Sequence, residues 1–533
     1  MALVINTNLS SIKAQMNLEK TQLSLSTALQ RISSGLRINS PKDDAAGLAI
    51  SQRLSSQVGK LGMAVRNAND GISFIQSAEV ALADISTMLQ RIQELATQSL
   101  NAASGATDRG LLQAQVVKLN ESIVQAADVA KFNGQKVLTG KVINAEFQVG
   151  VLAEETIRVN IPKITTSNIG NYSIKTDNTR ASAIGAANIG LTEGVAPRNA
   201  VQNQVLTIRG FSSAQNGTEV SVEEGETAKS IAEKINAVEA LTGVTATGSS
   251  YATLENIYNE EAGEDQKISF RLYGVKPRSL DSDDTSNSVS ISATIKSGSD
   301  GDLQALVTAI NDQTFKSGIS AKTVREKDDE GFDVVNIALS NGGADISIEK
   351  FSTTRLSGEE DFPITDITVR GFKGTEKVTL TEGGIDSVTI GGIVTLNSAK
   401  SFTATSDAVE EVSLFFNGAN GEAQTAVFDP LSSADLSSDE SARRTLVSST
   451  SALDFISSLR GDLGAIQSRF ESTISNLAAT QENTETARSR ILDADFAQET
   501  ARLTRAQVLQ QAGIAILAQA NSTPQAVLAL LRT

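Results

Sequence analysis

The chain has 533 residues, with 46 Lys plus Arg against 62 Asp plus Glu, a net charge of −16, and no Cys, His or Trp. That length calls for several domains rather than one core, and the acidity sets the chain against phosphate backbones, so nucleic acid is not an expected partner. Without Cys or His there are no disulfides, thiolate nucleophiles, imidazole bases or zinc sites.

The opening Met1 to Ser10 has neither a basic stretch nor a sustained apolar core, and does not read as a cleavable signal peptide. Ile5, Leu9, Ile12 and Met16 step by three and four, as do Leu25, Leu29, Ile32 and Leu36, which predicts an amphipathic helix. Gly35 reads as its C-terminal stop. Ser40-Pro41-Lys42-Asp43 reads as the next N-cap, a first-turn proline and an acid facing the positive helix end. The run Ile75, Ala78, Leu82, Ile85, Leu89, Ile92 and Ala96 predicts a coiled-coil-like seam. Leu112, Val116, Leu119, Ile123, Ala126 and Ala130 predict another helix.

Beyond residue 140 the texture changes. Phe132-Asn133-Gly134 reads as a turn, and the segments ending in Val149 and running from Thr156 to Ile161 read as hairpin strands. Residues 180–440 read as β-rich, with an internal repeat. Ile235-Asn236 precedes Gly243-Val244-Thr245-Ala246 at the spacing by which Ile310-Asn311 precedes Gly318-Ile319-Ser320-Ala321, a duplicated small α+β unit. A third segment, from Ile364 through Val369-Arg370-Gly371-Phe372 to Phe428, resembles the start of the first copy at Leu206 to Phe211.

The last 90 positions return to helical texture. Leu453, Ile456, Leu463, Ile466, Phe470, Ile474 and Leu477 form one stripe, and Leu492, Phe496, Leu503, Ala506 and Leu517 a gappier one. Such thin stripes need partners, so the two ends of the chain are expected to pack side by side with the middle looped out. No side chain from Ala506 to Leu531 is charged, yet its glutamines and Pro524 suit a protein neighbour rather than lipid, so no membrane is expected. Large uncharged, Ala- and amide-rich surfaces of this kind mark interfaces. The stripes are thin enough for the terminal segments to be disordered until they join an assembly.

Both ends resemble bacterial flagellins. The resemblance is carried by "LQRISSGLRINSPKDDAAGLAI" (Leu29 to Ile50), "RNANDG" (Arg66 to Gly71) and the whole stretch from Ala487 to Arg532. The Ile-Asn…Gly-Val-Thr-Ala units resemble a small module inserted in flagellins and hook proteins. One departure is Glu121 to Ala126, where the family's usual Asp-Arg pair is missing.

The resemblance implies an α+β multidomain protein. Residues 1–40 with 491–533 would be inner-tube helices, and 41–180 with 441–490 an outer-tube helical domain with a β-hairpin. Residues 181–440 would be a surface insertion with repeat units near 201–275 and 285–350. The implied function is self-assembly into the flagellar filament for swimming. The alternatives are a hook-associated junction protein, or an adhesin acting through the insertion. Expected self-assembly contacts are Ile5, Leu9, Ile12, Met16, Val508, Ala512, Ala515 and Leu517. The expected outer-tube core is Leu82, Ile85, Leu89, Ile92, Phe470, Ile474 and Leu477. Expected partners are further copies of the chain, an export chaperone, the filament cap and hook-associated proteins, with the protein secreted to the flagellum without a cleaved signal.

Gln90 to Ala96 also resembles the stretch by which vertebrate Toll-like receptors detect flagellin, with Arg91 and Glu94 as polar and Leu95 as apolar contacts. The opposing reading puts Leu89 and Ile92 in the core and leaves Arg91 and Glu94 as a solvated face. Asp281, Asp283, Asp284 and the run Glu326 to Glu330 lack the spacing of a calcium loop, so neither metal nor cofactor is expected. The metallopeptidase found inside some flagellins needs a His-Glu-x-x-His helix that a chain without His cannot form, and aromatics at 4% do not build a glycosidase cleft. Asn171-Tyr-Ser and Asn216-Gly-Thr match the N-linked acceptor pattern, and the Ser- and Thr-rich insertion admits O-glycosylation.

Overall fold

The computed structural model describes residues 7–101, 105–141, 144–176, 187–189, 197–211, 217–257, 266–274, 288–295, 303–327, 333–355, 366–371, 377–408, 414 and 423–530. Its helices are α1 (Leu9–Ser34), α2 (Ala45–Ser99), α3 (Ala106–Val129), α4 (Ala228–Ala237), the single turn α5 (Glu239–Thr242), α6 (Leu303–Asn311), the single turn α7 (Thr314–Ser317), α8 (Asp439–Leu492) and α9 (Phe496–Leu530). The strands lie between α3 and α8, which makes an α+β chain with long helices at both ends. Two compact units emerge: Met1–Val80 with Ala130–Pro162 and Arg460–Thr533, and Ala81–Val129 with Lys163–Leu459.

In the first unit the chain ends pair. α1 runs antiparallel to α9. α2 runs antiparallel to α8, with Arg488 Nη1 donating to Ser55 Oγ at 3.3 Å near one end and Arg460 Nε to Glu79 at 2.7 Å near the other. Asn133 (φ 49°) and Gly134 (φ 79°) form the tight turn between Lys131–Phe132 and Gln135–Lys136, as the Asn-Gly pair predicts. The hairpin Ala145–Gln148 with Thr156–Val159 brings Phe147 against Phe74 and Phe470, with centroids 5.7 Å apart in both pairs. Phe132 meets Phe74 edge-on at 5.8 Å. Gly71 is what lets α8 approach, since a Cβ there would lie 2.6 Å from the Phe470 ring. Asn67 donates to the Gln148 carbonyl at 3.0 Å. The Arg66 to Gly71 signature is thus a seat for the hairpin and for Phe470.

One boundary differs from expectation. Ser40 does not cap α2. The Asp43 carboxylate instead accepts from the Asn39 and Ser40 backbone N–H groups and the Ser40 hydroxyl, closing a turn, and these backbone donors hold its pKa below the ordinary range. The helix starts four residues later than expected, at Ala45, where Asp44 Oδ1 accepts from Gly47 N at 2.8 Å. Gly35 does end α1, in the left-handed region (φ 72°), with its N–H on the Arg31 carbonyl.

In the second unit the upper part of α2, α3 and the start of α8 share a core in which Leu82, Ile85, Leu89, Ile92, Leu112, Val116, Ile123 and Ile456 are buried. In α3 the buried alanine is Ala127, while Ala126 and Ala130 are half-buried. Among the described residues the strand pairs of the insertion are antiparallel. Thr245–Glu255 is its central strand, pairing with Ile393–Ser398 along its first half and with Asp333–Asn341 and Asp366–Arg370 along its second.

The repeat is a three-dimensional one. A hairpin (Gln204–Arg209 with Thr218–Val222) leads through α4 and α5 to Thr245–Glu255, and a second hairpin (Gln266–Tyr273 with Val289–Ile295) leads through α6 and α7 to Ser320–Lys327. Each copy closes on its asparagine. Asn236 donates to the Ala246 carbonyl at 2.9 Å and accepts from Ala246 N at 2.6 Å; Asn311 does the same to Ala321 at 2.9 and 2.8 Å. Gly243 (φ 67°) and Gly318 (φ 72°) supply the left-handed reversal between helix and strand. The copies have separate cores, one around Leu206, Ile231 and Leu396, the other around Phe270, Leu306 and Ile348. The third segment keeps only the hairpin, Asp366–Arg370 with Lys377–Thr381; Ile364 and Phe372 lie outside the described residues.

Two predictions follow from these cores. Gly71→Ala forces Phe470 off its seat, an overpacking cost of about 1–3 kcal/mol, seen as an earlier unfolding midpoint in denaturant. Asp345 is half-buried, with its pKa pushed up to about 7 by desolvation against only the Asn199 amide (2.9 and 3.1 Å). Its folded pKa lies above its unfolded one, so its contribution favours folding at low pH and is lost as pH rises through about 7. Asp345→Asn should therefore raise the melting temperature at pH 8 and leave it unchanged near pH 4.

Candidate assembly surface

The α1–α9 pair is set by polar registration rather than by an apolar seam. Asn8 caps α1 by accepting from Ser11 N at 3.0 Å, while its Nδ2 donates to the Ala520 carbonyl at 2.8 Å. Ser11 Oγ donates to Asn521 at 2.8 Å, and Gln510 Nε2 to Gln22 at 2.9 Å. Glu499, buried, accepts from Arg31 at 3.2 Å and from Arg502 at 2.9 Å. The connecting turns join as well, through Arg37 N on the Leu492 carbonyl, Ala494 N on the Gly35 carbonyl, and Arg37 Nη2 on the Ile491 carbonyl at 2.7 Å.

Apart from Glu499, the side chains this pair buries are small: Ser11, Ala14 and Ala28 on α1, and Ala506 on α9. Gly513 lets Leu18 sit close, 3.4 Å from where a Cβ would be. Leu18, Leu25, Ile32 and Leu503 are half-buried, but many of the large apolar side chains point away. Leu9 is 63% exposed, Ile12 45%, Met16 54% and Val508 59%. Leu23, Leu509, Ile514 and Ile516 are exposed to a similar degree. Ala512 and Ala515 are exposed, Leu517 is half-buried, and Ile5 lies outside the described residues. Sequence periodicity picked out Leu9, Ile12 and Met16 but missed Leu509, Ile514 and Ile516. Those three sit in a tail where apolar residues and amides are mixed on every side, so no stripe stands out.

The expected outer-tube residues divide. Leu82, Ile85, Leu89, Ile92 and Phe470 are fully buried, whereas Ile474 and Leu477, further along α8, are half-buried. At the suggested receptor stretch, Arg91 and Glu94 are exposed and paired with each other. Leu95 is 1% exposed and needs correcting as an apolar contact, because its place on the α2 helix turns it into the core with Ile92. Asn171 is also no acceptor site in this fold. It is buried, donating to Asn397 at 2.7 Å and accepting from Ser451 at 3.0 Å. Asn216, Asp281, Asp283 and Asp284 lie outside the described residues. Glu326 accepts from Arg370 at 2.8 Å, and no cluster of three metal-ligating side chains occurs among the described residues.

Comparison with known proteins points one way. Residues 5–142 match the bacterial flagellin N-terminal helical region, 448–531 the bacterial flagellin C-terminal helical region, and 206–251 the flagellin hook IN motif. The B-type flagellin of Pseudomonas aeruginosa is 35% identical, and the flagellin of Salmonella typhimurium 33% identical, each over 100% of both chains. The solved flagellar hook-associated protein-3 of Legionella pneumophila is 13% identical, covering 83% of this chain and 98% of its own, at a TM-score of 0.33 that carries no argument. The hook IN match covers the first copy of the repeat; the second copy is recognisable by its Asn311 clamp and its glycine turn.

Glu499 is the one carboxylate between two guanidinium groups in the α1–α9 seam. Glu499→Gln leaves Arg31 and Arg502 facing each other unbalanced, at a cost of about 1–3 kcal/mol. The expected outcome is faster proteolytic trimming of both ends of the free chain, with digestion of the central region unchanged.

Proposed function

The chain belongs to the bacterial flagellin family and is a subunit of the flagellar filament, and from that premise we propose how its residues divide the work. Residues 1–40 and 491–533 line an inner tube, 41–180 and 441–490 an outer tube, and 181–440 project from it. Ile5, Leu9, Ile12, Met16, Val508, Ala512, Ala515 and Leu517 make the contacts between copies. The observation that carries this reading is the exposure of the large apolar side chains on a helix pair whose own seam is made of Ala, Ser and amides. Apolar surface that one copy cannot bury is buried by the next.

The lack of charge from Ala506 to Leu531 serves the same end. A charge in a homopolymer contact is repeated at every subunit, whereas Gln and Asn hydrogen-bond at little electrostatic cost. The work is mechanical, transmission of torque, and flagellins are structural proteins. Catalysis plays no part in this reading. The chain is exported to the flagellum, held by an export chaperone, and meets hook-associated proteins and the filament cap at the two ends of the filament. Should a vertebrate receptor read α2, Arg91 and Glu94 are the contacts left available to it.

The test compares the full chain with a truncation ending at Arg505, both added to filament fragments and followed by sedimentation and negative-stain microscopy. Full-length protein should form long filaments while the truncation stays in the supernatant. Elongation by the truncation would remove the terminal pair from the assembly contact.

A further inference from the structure

A groove of about 530 Å3 runs between α1 and α9. Ala28 and Ala506 form its floor, and Leu23 and Leu509 are its apolar walls. Its rim is cationic, with Lys20 and Arg31 on the α1 side and Arg502 and Arg505 on the α9 side. Glu499 is the sole acid lining it and is already shared by Arg31 and Arg502. Lys20 and Arg505 have no ion-pair partner among the described residues.

The charge balance says what such a groove takes. Across α1 and α9, Lys13, Lys20, Arg31, Arg502 and Arg505 stand against Glu19 and Glu499, a surplus of positive charge in a chain whose net charge is −16. Carboxylates therefore abound elsewhere on the chain. A surplus of one sign repeated at every subunit of a homopolymer is self-repelling unless the neighbour supplies the other sign. An apolar floor with a cationic rim fits a helix face that carries both aliphatic and carboxylate side chains.

We propose that the groove between α1 and α9 receives an acidic helix face of a second copy of this chain, with Lys20 and Arg505 pairing to its carboxylates across the contact. This rests on the filament reading and deepens it: apolar burial supplies the adhesion, and the groove fixes the register between copies. Charged contacts of this kind choose partner and orientation more than they add affinity. The contact is heterologous, groove against outer helix face, which is the kind that propagates rather than closes.

The experiment uses full-length monomer added to filament fragments, reading the critical concentration for elongation by sedimentation and the helicity of each monomer by circular dichroism. Lys20→Glu with Arg505→Glu should raise the critical concentration by roughly tenfold or more, with helicity unchanged. Lys20→Gln with Arg505→Gln should fall between that and the parent. Lys229→Glu with Lys267→Glu, the same change in net charge on exposed positions of the 181–440 insertion, should elongate as the parent does. If the reversal disturbs the helices, the glutamine pair, which keeps long polar stems at both positions, decides by the same readout. Elongation by the groove variants at the parent's concentration overturns the proposal and leaves the filament reading standing. So does equal impairment of the insertion variant, which would assign the effect to net charge. Failure of the parent itself to elongate sinks the filament reading and this inference together.

Discussion

Everything at the two ends of this chain depends on one constraint: the α1–α9 pair has no core of its own. Two helices in contact bury one narrow strip each, and here the strip is spent on Ser11, Ala14, Ala28, Ala506 and the paired Glu499. Small side chains let the backbones approach, and the polar links from Asn8 to Ala520 and from Arg31 to Glu499 set the register. They contribute little apolar burial, and an isolated pair of this kind is marginal in water. Large apolar residues facing outward are a burden to a monomer and an asset to a polymer.

Burial changes along α8. Ile456, Leu463 and Phe470 are buried, Ile474 and Leu477 half-buried, and the residues of α9 mostly exposed. Phe470 is the last large anchor, seated against Gly71 and joined edge-on to Phe147. The hairpin beside it adds strand and ring packing where the helix pair alone would be thin. A chain arranged in this way has stable parts that fold alone and terminal parts that gain most from neighbours.

The insertion obeys different rules. Its copies each bury an apolar helix face on a small sheet, and each pins helix to strand by an asparagine amide bonded both ways to one alanine. Such a side-chain clamp substitutes for a backbone ladder where helix and strand diverge, which is why Ile-Asn recurs at fixed distance from Gly. Buried Asn171 and half-buried Asp345 are held by neighbouring amides, so these polar groups hold the region together rather than facing ligands.

The sequence alone determined the helical ends, the bracketed architecture, the duplicated insertion and the family, because periodicity and long motifs are local signals that survive without coordinates. The stripe from Ile75 to Ala96 reads directly as core, since every member must face one partner. The start of α2 did not, because Ser40 before Pro41 reads as a cap in sequence, and only the turn that Asp43 closes on Asn39 and Ser40 passes the cap to Asp44. Leu95 was misread because a seven-residue likeness does not say which way a helix faces. Tertiary structure alone decided that Leu9, Ile12 and Met16 point outward while small residues take the seam, and that four cations line one groove. Periodicity marks an apolar face, but what covers that face is settled by which helix lies beside it.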